Sequence, residues 1–258
     1  MSNTNTVPQG LFGPGILWLT RTDVANSTPI NVGFCNEFST DLTYETKSLF
    51  GQNQFALLTA RGTAKSTGKI KAATLSGQAL NTALLGGTWA AGTQYDATTS
   101  PATAIPATPF TITPTVPSSG TWNQDLGVTN AATGEPFKLV TGTPTAGQYA
   151  VAAGVYTFSS ADNTSGISVL ISFAYTWLTA PGQSMTIANQ QIGTTPTFQL
   201  DYKTTLYGAT YYLRLFQAIG SKWAMAHKIT DFAMPEYDFE FFSNAAQQIG
   251  IISVATQA

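Results

Sequence analysis

The chain has 258 residues, of which 43% are apolar and 9% are charged, and its net charge is -2. Soluble proteins average about 25% charged residues, so few charges are available here to keep a free monomer in solution. This composition favours a surface covered by copies of the same chain over a monomer with a threonine-rich surface. The small net charge argues against a protein that attracts nucleic acid or an anionic membrane by its overall field.

Simple counts exclude several classes of protein. Cys35 is the only cysteine, so neither an intrachain disulfide nor a cysteine-based metal site is expected. No apolar run approaches the roughly 18 residues of a membrane-spanning helix, and we expect no membrane partner. Residues 1–13 contain neither the basic nor the apolar segment of a signal peptide, so we expect the chain to fold in a cytoplasm.

The first third of the chain predicts an irregular segment over residues 1–13, followed by strands. In residues 38–46, Phe38, Leu42 and Tyr44 alternate with polar side chains, which is the period of a sheet. Glycines at 62 and 68 indicate a bend between two of the strands. The predicted strands of this part are residues 15–22, 30–35, 38–46, 55–61 and 69–75.

The clearest helical pattern covers residues 76–85. Its apolar residues recur at spacings of three and four, Ser76 provides an N-cap, and Gly86 follows as a stop signal. The sequence therefore predicts a short helix here.

Residues 90–121 differ from the rest of the chain because Thr, Ala, Ser and Pro dominate them. Prolines interrupt helices and central strands, so this stretch predicts an extended loop or a lax edge strand. A linker and an arm that lies on a neighbouring subunit both stay open as interpretations. We expect residues 1–258 to form a single β domain, with residues 90–121 as a Pro/Thr-rich insertion.

The remaining residues again predict strands. Residues 167–178 have the strongest strand pattern, and residues 147–158 predict two strands joined by a tight turn at Ala153-Gly154. The other predicted strands are residues 126–129, 137–140, 185–187, 198–206, 210–216, 228–232, 237–242 and 248–254. The predicted fold class is therefore mostly β, a sandwich or barrel with one or two short flanking helices.

Few side chains suit catalysis. His227 is the only histidine, which excludes sites built from several histidines, and no Gly-x-Ser-x-Gly motif supplies a nucleophile. Glu236, Asp238 and Glu240 share one face of a predicted strand; a carboxylate pair can cleave glycosides, but such a stripe more often faces solvent or a partner. We expect a protein that is not an enzyme and has no cofactor or metal.

Two groups of opposite charge lie far apart in the sequence. Complementary charges fix the register and orientation of an interface more than they add affinity, so we predict that these residues are assembly contacts, either within a subunit or between subunits. The basic residues are Arg61, Lys65, Lys69 and Lys71, and the acidic residues are Asp231, Glu236, Asp238 and Glu240.

Several short stretches resemble the tail tube, or major tail, proteins of tailed phages. The first is the run Gly15-Ile-Leu-Trp-Leu-Thr-Arg-Thr-Asp23. The others are residues 28–33, 47–55, 68–73, 147–158, 170–176, 232–239 and 250–253. Together they cover most of the chain outside residues 90–121, which depart from a minimal tube subunit.

The resemblance implies a structural protein of the virion tail. Tube proteins of this kind form hexameric rings that stack into a tube, and viral DNA passes through the lumen without sequence-specific binding. Other tail proteins are then further partners. The helix at residues 76–85 would flank the sheets, and residues 36–72 would supply a long stacking hairpin.

Two alternatives remain. A capsid decoration or head–tail connector protein would share the composition, and a decoration protein would form closed trimers or monomers on a shell. A carbohydrate-binding β protein would use the five tryptophans and ten tyrosines as a sugar platform, although Trp18, Tyr175 and Trp177 lie in strand patterns typical of a core.

Overall fold

The structure is a computed structural model that describes residues 14–206, 209–227, 229–230 and 232–255. It is mostly β, with 57% strand and 7% helix, which confirms the predicted fold class. The irregular segment predicted for residues 1–13 lies outside the described residues.

The strands are numbered in chain order. They are β1 (Gly15–Arg21), β2 (Ile30–Phe50), β3 (Ala56–Ala72), β4 (Ala90–Thr99), β5 (Thr103–Ala104), β6 (Thr111–Ile112), β7 (Thr121–Asn130), β8 (Lys138–Leu139), β9 (Gln148–Ala152), β10 (Val155–Phe158), β11 (Ser168–Ser184), β12 (Thr197–Leu206), β13 (Ala209–Ala224), β14 (Glu236–Phe242) and β15 (Gly250–Ala255). The helical segments are α1 (Gly77–Leu80), which continues as a π-helical turn (Asn81–Leu85), a 3-10 turn (Pro117–Ser119) and α2 (Ser160–Thr164).

The chain divides into two compact units. The barrel unit comprises Met1–Gly87 and Ile187–Ala258, and the inserted unit comprises Thr88–Thr186. Residues 90–121, expected from composition to be an insertion in a single domain, form the first part of the inserted unit, which has an apolar core of its own.

The barrel unit closes a sheet on itself. Its strands follow the order β12-β1-β2-β3-β14-β13, and β13 pairs back onto β12. The remaining strand, β15, pairs with residues 210–215 of β13. Closure leaves few unpaired edges, and it directs alternate side chains into one core.

The barrel core follows from the period-2 pattern of its strands. Leu17 and Leu19 of β1, Leu200 of β12 and Phe239 of β14 are at most 2% exposed. Burying a large apolar side chain contributes about 1.5–3 kcal/mol, so these positions supply much of the stability of the unit. Phe38 extends the aromatic packing, with its ring stacked 4.2 Å from that of Tyr202.

The predicted helix at residues 76–85 is confirmed. The Ser76 hydroxyl accepts a hydrogen bond from the Ala79 amide, and Gly86 ends the π-helical turn in the left-handed conformation. A Cβ at residue 220 of β13 would lie 2.2 Å from the Ala83 carbonyl oxygen. Glycine at this position therefore allows the helical segment to approach β13 closely.

The expected bend at residues 62–68 is wrong, because β3 runs unbroken from Ala56 to Ala72. Gly68 instead lies beneath the Phe239 ring, where a Cβ would be 2.2 Å from Cζ, so this glycine serves close packing and not a turn. The two strands expected over residues 30–46 are likewise one strand, β2, with a register shift between Cys35 and Glu37.

Other boundaries also differ. Residues 185–187 are not a strand, and residues 229–230 form a turn where a strand was expected. Residues 228 and 231 lie outside the described part of the chain. By contrast, β12, β14 and β15 lie where the sequence predicts strands.

The inserted unit is built from two small sheets. In one, β11 pairs with β4 and β5 along one edge and with β7 along the other; the second has the order β6-β10-β9-β8. The alternation predicted for residues 167–178 is confirmed, since Val169, Ile171 and Phe173 are fully buried. Residues 90–99 form the edge strand β4, so the lax-edge interpretation holds for them.

Two buried tyrosines in the core of the inserted unit donate hydrogen bonds to the same carboxylate. Tyr149 donates to one oxygen of Asp125 at 2.6 Å, and Tyr156 donates to the other at 3.0 Å. Burial and this carboxylate raise the pKa of both phenols. The turn between β9 and β10 lies at Ala153-Gly154, as predicted, with φ of 48° and 83°, which matches the primed turns of two-residue hairpins.

Candidate assembly surface

The hairpin of β2 and β3 has two parts, which we call the base and the arm. The base, residues 30–40 and 66–72, is part of the barrel. The arm, residues 41–65, extends from it, because β2 pairs with β1 only as far as Cys35 and β3 pairs with β14 only from Thr67. Every residue of the arm is exposed.

The tip of the arm is apolar. Leu49 and Leu58 face each other across the two strands. Residues 48–60 contain no charged side chain and lie between Lys47 and Arg61. The tip side chains are 61% to 84% exposed: Leu49, Phe50, Phe55, Leu57 and Leu58. An exposed apolar patch that no described residue covers is typical of a contact surface.

The backbone of the arm is also incompletely paired. The arm is a two-stranded ribbon, and the outer edges of both strands have no neighbour among the described residues. An isolated two-stranded hairpin is marginally stable in water, and an open strand edge is a template for another chain. A neighbour that covers the arm would therefore stabilise it through both side chains and backbone.

A second apolar surface lies at β15. This strand pairs only with β13 in the described chain, and all six of its residues are exposed. Beside it is an apolar groove of about 230 Å³. Among the lining residues are Leu42, Leu213, Phe241, Ile249 and Ile252. Leu42 belongs to the arm, so the arm and this groove adjoin.

The structure brings three of the predicted charged residues together within one chain. In the register of β3 and β14, Lys71 lies opposite Glu236 and Lys69 opposite Asp238. The Glu236 carboxylate lies 3.1 Å from Lys69 Nζ and 3.6 Å from Lys71 Nζ. The hydrogen bond between Lys69 and Glu236 raises the pKa of Lys69 and lowers that of Glu236.

These pairs serve the subunit itself. Since Lys69 and Lys71 are engaged with Glu236 across two strands of the barrel, reversing their charge acts on the folded monomer as well as on any interface. The sequence left open whether the two groups of charges meet within or between subunits, and for these three residues the contact is within.

The other basic residues lie on the arm. The Arg61 guanidinium lies over the Tyr44 ring, 4.6 Å from its centroid. Lys65 is exposed and lies opposite Thr43. Both remain available for contacts with another molecule.

Two of the other acidic residues, Asp238 and Glu240, lie on the face of β14 that carries Glu236. Asp238 lies 3.8 Å from Lys222 Nζ, and Glu240 is exposed at the far end of β14. Asp231 lies outside the described residues. In the register of β3 and β14, Glu240 lies opposite Thr67, which is two residues from Lys65 of the arm.

The strongest polar cluster of the barrel unit surrounds Asp201. Its carboxylate accepts hydrogen bonds from Arg214 Nε at 2.6 Å, from Gln199 Nε2 at 2.7 Å and from the Tyr212 hydroxyl. Burial raises the pKa of Asp201, but these hydrogen bonds outweigh burial and hold the pKa below its ordinary value. The cluster ties β12 to β13.

The described side chains that could act as nucleophiles, bases or metal ligands are isolated from one another. The Cys35 thiol is buried and donates to the Glu37 carbonyl at 2.9 Å, and burial raises its pKa to about 11. A thiol with a raised pKa is a poor nucleophile. His227 is exposed, and no group of three or more potential metal ligands occurs among the residues that the structure describes.

The apolar tip of the arm is the feature that sequence reasoning missed. The sequence pattern predicts only a strand over residues 55–61. The predicted assembly contacts were all charged residues. The available signal was the uncharged stretch over residues 48–60, in which Leu57 and Leu58 are adjacent and therefore cannot both face one core.

No family model matches the chain, and a search of curated proteins found no match. None of the helices in the described residues has the length and apolar character needed to cross a membrane.

Proposed function

We propose that the protein is a virion structural protein, a tail tube protein whose copies assemble into six-membered rings that stack into the conduit for DNA ejection. The observation that carries this proposal is the arm, with an exposed apolar tip that no described residue of the chain covers. The resemblance of the sequence to tail tube proteins supplies the specific assembly.

Two different surfaces on each copy support self-assembly. The apolar tip and the groove beside β15 lie on the same chain, so every copy supplies both. A contact between unlike surfaces is heterologous, and such contacts propagate into rings or filaments. The uncharged tip also avoids the cost of removing charges from water.

The charge of the chain suits a DNA conduit. A lumen lined with lysine or arginine would bind the phosphate backbone and hold the DNA in place. With 9% charged residues and a net charge of -2, the subunit carries no excess of positive charge to resist passage.

The test is negative-stain electron microscopy of the purified protein over a range of concentrations. Rings or stacked tubes with a central channel are the expected result. Closed trimers would instead favour a capsid decoration protein, and particles of one subunit at every concentration would contradict self-assembly.

A further inference from the structure

Strand β15 is an unprotected edge of the barrel sheet. It pairs with β13 on one side, and no described strand pairs with its other side. Proteins usually protect such an edge with lysine, proline or a bulge. Residues 241–258 contain neither a charged residue nor a proline, and Ile251, Ile252 and Val254 are 49% to 68% exposed. The free side of β15 is therefore suited to receive another strand.

The groove beside β15 opens onto the barrel core. Three of its lining residues, Leu213, Leu215 and Phe241, belong to that core. Two others, Leu42 of the arm and Ile252 of β15, are 43% and 68% exposed. No charged residue lines the groove. Apolar side chains would fill this groove favourably, whereas a charged side chain would lose its hydration there without gaining a partner.

The tip of the arm lies too far along β2 to fill the groove of its own chain. Leu42 lines the groove, and β2 continues beyond it in register with β3 as far as the tip. Because a strand rises about 3.3 Å per residue, Leu49 lies about 23 Å along the strand from Leu42. The tip of one copy is therefore free to reach the groove of a second copy.

The arm tip and the groove match in two respects. Both are apolar and uncharged, since residues 48–60 contain no charged side chain. Both also offer free strand edges, because the outer edges of the arm and the free side of β15 have no neighbour among the described residues. When a strand adds to a sheet edge, main-chain hydrogen bonds supply affinity and pockets for alternate side chains supply specificity.

From this geometry we propose that the arm tip of one copy adds to β15 of a second copy and buries its leucine and phenylalanine side chains in the groove. This docking rests on the proposed function and adds to it the surface that receives the arm. Each copy has one arm and one such groove, so the contact joins unlike surfaces and repeats from copy to copy.

The first test compares Ile252→Glu with Ile251→Glu in the full-length protein by sedimentation velocity. The two isoleucines are adjacent and exposed, but they point to opposite faces of β15 and only Ile252 lines the groove. Ile252→Glu should raise the concentration needed for assembly at least about tenfold, because docking would bury an unpaired carboxylate. Ile251→Glu should assemble as the wild type does. The proposal is overturned if Ile252→Glu assembles normally or if both variants lose assembly equally.

A second test uses cross-linking and does not depend on the folding of a charged variant. Cysteine replaces Leu49, Phe55 or Leu58 in one copy and Ile252 in a second copy that carries a size tag, and the two are mixed under mild oxidation. The native Cys35 is buried and does not compete. At least one arm variant should form a mixed disulfide dimer with Ile252→Cys in higher yield than with Ile251→Cys. Equal yields for all three arm positions would overturn the proposal.

Electron microscopy of the same samples separates this docking from the proposed function. Rings or tubes formed by Ile252→Glu as readily as by the wild type would contradict the docking and leave the tube proposal standing. Specific cross-linking in a wild type that stops at a closed dimer would support the docking and contradict the tube.

Discussion

The base and the arm of the β2–β3 hairpin are made by the same two strands, yet their environments are opposite. In the base, Val32, Ile70 and Ala72 are at most 3% exposed and belong to the barrel core. In the arm, every side chain is exposed although the hydrogen-bonded register continues. The fold accounts for the burial of the base, whereas no described residue covers the apolar tip of the arm.

This difference separates stability from function. Substitutions in the base should unfold the subunit, whereas substitutions in the arm should leave the subunit folded and change only what it contacts. Variants along the hairpin and on the neighbouring strand β14 test this difference.

The largest expected effect is at the core residue that packs against the base. Phe239 of β14 is 1% exposed and packs against Gly68, Phe38 and Phe241. Phe239→Ala should lower the free energy of unfolding by about 3–5 kcal/mol, measured by urea denaturation. A loss below about 1 kcal/mol would show that the barrel core is not the source of stability.

A matched pair of glycines on β3 gives the next effect. In the base, the Cβ of Gly68→Ala would meet the Phe239 ring at 2.2 Å, so the variant should be destabilised by about 1–3 kcal/mol. In the arm, the Cβ of Gly62→Ala would have no contact shorter than 3.5 Å, and we expect little change. Equal losses in the two variants would mean that the arm is packed as tightly as the base.

The pH dependence of the barrel gives a smaller effect. Because the pKa of Asp201 in the folded state lies below its unfolded value of about 3.9, the carboxylate stabilises the fold fully above that value. Its contribution is lost as the pH falls through the folded pKa. Chemical denaturation of the wild type and Asp201→Asn at pH 7 and at about pH 3 should show a difference in stability that shrinks in acid. A difference that stays constant or grows in acid would contradict this role.

The smallest effect on stability belongs to the tip of the arm. Replacing both Leu49 and Leu58 with threonine introduces β-branched side chains, which suit strands, and should change the free energy of unfolding by less than about 0.5 kcal/mol, as is usual at exposed positions. The check is thermal and urea denaturation beside the wild type. A large loss would place the tip within the fold of the subunit.

Much of the fold was predictable where local pattern and burial agree. Residues 167–178, the capped helix at Ser76 and the turn at Ala153-Gly154 all follow rules that need no distant contact. The bend expected near Gly68 failed because the role of this glycine depends on Phe239, more than 150 residues away in the sequence. For the region of β4, the sequence predicted either an extended loop or an edge strand. Composition alone could not decide between them, because it does not identify β11 as the pairing partner.

The candidate surface was only partly predictable. The opposite charges of Lys69, Lys71 and Glu236 were recognised, but their pairing within one chain depends on the neighbourhood of β3 and β14, which no local pattern encodes. The exposed tip was missed because a strand pattern does not reveal on its own which residues lack a core. A long uncharged stretch between two basic residues is the signal that remains useful.

Sedimentation velocity over a range of concentrations directly tests whether the apolar tip of the arm is needed for assembly. It compares the wild type, the Leu49/Leu58 double threonine variant and Leu126→Thr, which alters an apolar residue that is 52% exposed in the inserted unit. We expect the wild type and Leu126→Thr to assemble as concentration rises, while the arm variant remains a folded monomer. Assembly of the arm variant at wild-type concentrations, or a wild type that stays monomeric throughout, would contradict this expectation.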